Sequence, residues 1–114
     1  MAQQYVQNAI FTSGFNIDDS SKRVREFVRT FSETFGEKPG FIEAVAFDTA
    51  TLLLQTITRP DIQYRSRLKD ELLDLNGFEG LTGEISFDRL GEARKQLLLF
   101  RIEKDGFVEI QKKR

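Results

Sequence analysis

FEGLTGEISFDRLGE, residues 78–92, is where this chain changes its period. Upstream of it the apolar residues recur at steps of three and four, the spacing of helix faces. Here that spacing stops. Residues 80–83, GLTG, read as a tight loop whose glycines permit a sharp turn. They lead into a short strand, EISF, over residues 84–87. Farther on, residues 97–103 read as a second strand with a long apolar start. Asp105-Gly106 then forms a two-residue hairpin turn, and residues 107–110 return as its partner.

Working back from that stretch, residues 65–75 predict a helix with Leu68, Leu72 and Leu75 on one face, closed by Asn76-Gly77. Residues 40–57 predict another helix. Ala44, Val45, Ala46, Phe47, Ala50, Leu52, Leu53, Leu54 and Ile57 cover most of its circumference, and Arg59-Pro60 ends it. A helix apolar nearly all round is usually buried on several sides, so in a small domain it points to a missing neighbour. An earlier helix starts at Asp19 or Ser20, either of which can cap it. Its stripe is Val24, Phe27, Val28, Phe31 and Phe35, its wet face is charged, and it stops at Gly36 before Pro39. Residues 5–12, YVQNAIFT, read as a strand ending at Ser13-Gly14, with a polar, turn-like link over residues 15–19. The fold class is therefore mixed α/β: a strand, three helices, then a strand and a C-terminal β-hairpin. It forms a single partial domain over residues 1–114, without the regular alternation of a complete doubly wound fold.

Composition narrows the function. Hydrophobic residues make up 39% and charged residues 31%, enough of a core to fold rather than stay disordered. The net charge is -1, from 17 basic and 18 acidic residues, which supplies no field to steer a polyanion. No nucleic-acid partner is expected. The basic runs at residues 22–25, 65–67 and 112–114 read as solvated helix faces and a tail. With no Cys and no His, thiol nucleophiles, disulfides, ordinary zinc sites and the commonest general base are all missing. No cofactor and no metal are expected, and no catalysis. Residues 1–4 carry no basic start and no apolar run follows, so no export leader is read there. No stretch approaches the length needed to span a bilayer.

Few residues invite chemistry. Glu43 and Asp48, on the second helix but five apart, do not share a face. Each is expected to cap a backbone group or pair with an Arg. Asp70, Glu71 and Asp74 read as a solvated face. Thr12-Ser13-Gly14 at a strand end could offer backbone N–H groups to an anion, yet it matches no phosphate loop. Neither does GLTG, which lacks the Lys and the following helix.

The order of these features carries a resemblance. Phe27-Val28, Phe31, Phe35-Gly36 and Pro39 fit a helix-and-stop pattern, and Glu43-Ala44-Val45-Ala46-Phe47-Asp48 fits a following "EAxxYD" helix. Phe78, Gly80, Thr82-Gly83, Phe87-Asp88 and Gly91-Glu92 come next, and then Asp105-Gly106-Phe107-Val108-Glu109-Ile110. The succession resembles the C-terminal end of type I periplasmic binding proteins, the family of branched-chain amino-acid receptors. Within it the chain is similar to a subgroup that activates penicillin-binding proteins. Phe47 departs from the family's Tyr, and Thr49 from its Ala. The resemblance implies a longer, two-lobed parent that closes on a solute like a hinged clam. It further implies a periplasmic location, an amino-acid-like ligand, and a membrane permease or a cell-wall synthase as partner. Most ligand-gripping residues would lie upstream of this segment. Thr12, Ser13 and Phe15 are the ligand-binding candidates, because they follow a strand at the lobe crossover, where open α/β sheets bind ligands. The rival expectation is a protein-interaction module that regulates cell-wall synthesis. The uncovered second helix is expected to favour self-association.

Overall fold

The protein is described from a computed structural model, over residues 5–111. The basic tail and the leader reading fall on residues 112–114 and 1–4 and lie outside the described residues. The first strand, β1, is Ile10–Ser13, shorter than its apolar run suggests. Asn8 takes a left-handed backbone (φ 68), which an Asn tolerates and a regular strand does not.

Helix α1 spans Lys22–Phe35. Its N-cap is Ser21, not Asp19 or Ser20: the Ser21 hydroxyl accepts from Val24 N–H. Asp19 acts one step earlier, accepting from Ser21 N–H at 2.8 Å. Gly36, at φ 73, ends the helix and donates to the Ser32 carbonyl. Helix α2 spans Phe41–Ile57, with Glu43 reaching back to accept from Gly40 N–H at 2.9 Å. Helix α3, Arg65–Leu73, stops two residues before its expected end, at Asp74, and buries none of its residues.

GLTG is more than a loop. Gly80 and Gly83 face each other across a hairpin joining β2 (Phe78–Gly80) to β3 (Gly83–Phe87), with Leu81-Thr82 as the turn. A further strand, β4 (Ala93–Lys95), pairs with β3. Neither β2 nor β4 is evident in the sequence, since three residues are too few to show a period. Asp88 builds the turn between β3 and β4: its Oδ1 accepts from Leu90 and Glu92 N–H, and Gly91 supplies a positive φ of 80. The hairpin of β5 (Leu98–Glu103) and β6 (Gly106–Gln111) forms, but its two turn residues are Lys104-Asp105 rather than Asp105-Gly106, because Gly106 already pairs with Glu103.

The strands assort into two antiparallel three-stranded sheets, one ordered β1-β5-β6 and the other β2-β3-β4. The first strand of the chain thus finds its partner at the far end, with Phe11 opposite Phe100. Phe11 stacks on Phe100 at 5.6 Å and meets Phe107 edge-on at 5.1 Å. The buried core lies among Phe15, Val24, Phe27, Ala44 and Leu81, with Ile17, Val28 and Phe31 packed against it. It joins the link after β1, the inner face of α1, the start of α2 and the β2–β3 turn.

Candidate functional site

The three sequence candidates occupy different environments. As β1 runs out, its alternation puts Ser13 on the same face as Phe11 and leaves Thr12 exposed on the other. The Ser13 hydroxyl lies 3.4 Å from Phe15 N–H, a short turn at the strand's end. The Phe15 ring points into the core and meets Phe27 edge-on at 6.3 Å. Ser13 and Phe15 do share a cleft of about 250 Å³, whose aromatic walls are completed by Phe41, Phe100 and Phe107. Gly14 has no Cβ for a reason: one would lie 2.4 Å from the Phe41 ring.

Two polar residues at this cleft region escaped the sequence reading. Asn16 accepts from Asp18 N–H at 3.0 Å and donates to Glu109 Oε2 at 2.7 Å. The other oxygen of Glu109 is buried and has no hydrogen-bond partner among the described residues. The separation of 93 positions between Asn16 and Glu109 hides the pairing from any local pattern. The one signal is that Glu109 stands opposite Phe100 across the β5–β6 pair, which turns it toward the same face.

Asp48 sits elsewhere, and its role is structural. It is 2% exposed. One oxygen accepts from Leu81 N–H at 2.7 Å, and the other from Thr82 N–H at 2.9 Å and from the Thr82 hydroxyl at 2.7 Å. That hydroxyl in turn accepts from the Lys95 ammonium at 2.9 Å. The amides that might have cradled a phosphate hold an internal carboxylate instead. The contact is close enough to dictate Gly80, where a Cβ would lie 2.5 Å from Asp48 Oδ2. Glu43 and Asp48 therefore both serve backbone groups.

A cluster of charges closes the other end of α2. Arg59 contacts Asp61 and Glu71, and Arg67 contacts the same two carboxylates. The hydrogen bond to Glu71, then the charge of Asp61, push the Arg59 guanidinium above its ordinary value. Partial desolvation opposes ionisation of Asp61. Its backbone hydrogen bond and the charges of Arg59 and Arg67 outweigh that, so its carboxyl lies below the ordinary 3.8. Among the described residues, no group of three or more His, Cys, Asp or Glu converges as a metal site. No described helix is long and apolar enough to cross a membrane.

The fold is thus a strand whose partners arrive at the end of the chain, three intervening helices, and a hairpin clasped to the second helix. The chain is a C-terminal segment of the type I periplasmic-binding-protein fold. It superposes on a branched-chain amino acid ABC transporter protein of Rhodospirillum rubrum with a TM-score of 0.82 and 25% identity, covering 92% of this chain and 31% of that one. An ABC transporter substrate-binding protein of Desulfitobacterium hafniense matches at a TM-score of 0.75 and 28% identity, over 89% of this chain and 30% of that one. Another from the same organism, in complex with Leu, shares the fold at a TM-score of 0.79 and 24% identity, over 94% of this chain and 32% of that one. The chain thus spans about a third of the length of these proteins. No protein-family model and no curated protein matches it.

Proposed function

We propose that this chain supplies the C-terminal segment of a solute-binding receptor of the branched-chain amino-acid ABC-transporter type. The receptor binds a small amino acid or related solute in the periplasm and presents it to a membrane permease. The observation that carries this reading is the superposition on the Rhodospirillum rubrum protein over nearly the whole chain, at 25% identity. Binding without catalysis suits a chain that has neither His nor Cys and whose buried carboxylate Asp48 is occupied by backbone amides. Ser13, at the mouth of the aromatic cleft, is the residue here best placed to reach a solute. Thr12 and Phe15 support it from the exposed face and from the core wall.

Isothermal titration of the two-lobed receptor carrying this segment, with leucine, isoleucine and valine, tests the reading. Binding is expected, and Ser13→Ala should weaken it about tenfold, roughly 1.4 kcal/mol. If the receptor binds none of these while this chain alone captures a cell-wall synthase, the interaction-module reading replaces it.

A further inference from the structure

Asn76-Gly77, in the link between α3 and β2, does more than turn the chain. Asparagines stand in the sequence at positions 8, 16 and 76, and only the last precedes a glycine. An asparagine loses its side-chain amide when the next backbone nitrogen attacks the carboxamide carbon and closes a succinimide ring. A following glycine favours that attack, having no side chain to shield the nitrogen.

The surroundings separate the candidates further. After Asn8, the Ala9 N–H donates to the Val6 carbonyl at 3.0 Å, and a carbonyl has no proton to pass on. The Asn16 carboxamide is held at both ends, by Asp18 N–H and by Glu109, and the β-branched Ile17 follows it. At Asn76 a single hydroxyl bridges the two groups that would react. Ser86 Oγ accepts from Gly77 N–H at 3.0 Å and donates to Asn76 Oδ1 at 3.1 Å. Strand β3 carries Ser86 and is paired with β2 on one side and β4 on the other, which fixes the hydroxyl in place. Asn76 itself is exposed, so water reaches it. Both hydrogen bonds strengthen as the ring closes. The attacking nitrogen turns acidic as it shares its lone pair, and the carboxamide oxygen gains negative charge. A hydroxyl that accepts from the first and donates to the second therefore favours the transition state over the ground state.

We infer that Asn76-Gly77 is a self-modification site, deamidated in the folded chain with Ser86 as its proton relay. The Gly77 nitrogen bonds to Asn76 Cγ. Its proton passes to Ser86 Oγ as the hydroxyl proton passes to Asn76 Oδ1. The tetrahedral adduct then reforms its carbonyl, and that proton leaves with the side-chain nitrogen as ammonia. Water opens the succinimide at either carbonyl, leaving aspartate or isoaspartate. The new carboxylate stands near Glu84, whose Oε1 would lie 3.4 Å from a Cβ on Gly77. Isoaspartate also adds a main-chain carbon to the link between α3 and β2. The inference stands apart from the receptor reading, because neither a solute nor the rest of a receptor takes part.

Incubating the full chain, digesting it and mapping its peptides by mass spectrometry follows the reaction at each asparagine. Asn76 should convert about tenfold faster in the folded chain than in the same chain unfolded in guanidinium chloride, a gain below that of a tuned catalytic base. In the unfolded chain the rate should rise with hydroxide. In the folded chain the relay supplies the base, so the rate should be nearly independent of pH. Ser86→Ala, checked for unchanged far-UV circular dichroism, should remove the folded-state gain and restore the dependence on hydroxide. A folded chain that converts Asn76 no faster than the unfolded one overturns the inference, and that comparison needs no substitution. A folded rate that climbs with hydroxide as the unfolded one does overturns the relay. So does a folded Ser86→Ala chain that converts as fast as the unsubstituted chain or faster, which makes Ser86 a restraint instead.

Discussion

Helices α1 and α2 meet at the rings of Phe27 and Phe47, 4.9 Å apart, yet they use their residues in opposite ways. On α1 the buried positions are Val24 and Phe27, and the charges face water. On α2 the buried positions are Ala44, Asp48, Leu52 and Thr56, spaced by four, while Ile42, Leu53, Leu54 and Ile57 face out. The α1 face is held by area removed from water. The α2 face is held by satisfied polar groups: Asp48 takes three hydrogen bonds, and the Thr56 hydroxyl donates to the Leu52 carbonyl at 2.9 Å. The contrast teaches that a helix apolar all round need not turn its most apolar side to its own core. One carboxylate with three donors to serve can fix which side faces in.

The sharpest way to break the comparison is Asp48→Ala. It strips acceptors from two buried amides and a hydroxyl, and should destabilise the chain by about 4 kcal/mol in urea unfolding. A loss below about 1 kcal/mol would mean that water replaces the carboxylate and that the clasp does not orient α2. Next comes a matched pair of truncations. Phe27→Ala on α1 should cost roughly 3 kcal/mol, whereas Ile42→Ala on α2, measured at ~1 µM to suppress association, should change stability by less than about 0.5 kcal/mol. Equal losses from the two would show that α2 buries its apolar face after all. The smallest effect belongs to the charges at the end of α2. The lowered Asp61 carboxyl contributes stability above its unfolded value of 3.8, and that contribution is lost as pH falls through the lower folded value. Asp61→Asn should therefore shift the urea midpoint slightly at neutral pH and not at all at about pH 2 or in ~1 M salt, where exposed pairs are screened.

The helices were legible because fourteen residues of α1 and seventeen of α2 give a period room to declare itself. So was the β5–β6 hairpin, because Asp105-Gly106 signals a tight turn, although the turn itself sits one residue earlier, at Lys104-Asp105. What stayed hidden is non-local. The assignment of β1 to the sheet of β5 and β6, the short strands β2 and β4, and the pairing of Asn16 with Glu109 all depend on partners tens of residues away. The glycines of GLTG announced a turn, but not that Gly80 is small to admit Asp48. Of the residues that line the cleft, Ser13 and Phe15 could be singled out from their place at the end of β1. Phe41, Asn16 and Glu109 could not, since only the folded chain brings them to that place.

The clasp between Asp48 and the β2–β3 turn has a kinetic consequence as well. It ties residues separated by 33 positions, and the loop it closes contains all of α3. Closing such a loop costs chain entropy before it returns any contact, so the clasp belongs to a late or rate-setting step of folding. Once closed, it fences in a helix that buries none of its own residues. Helix α3 can then melt and re-form inside a fixed frame, while the core on either side of the loop stays shut.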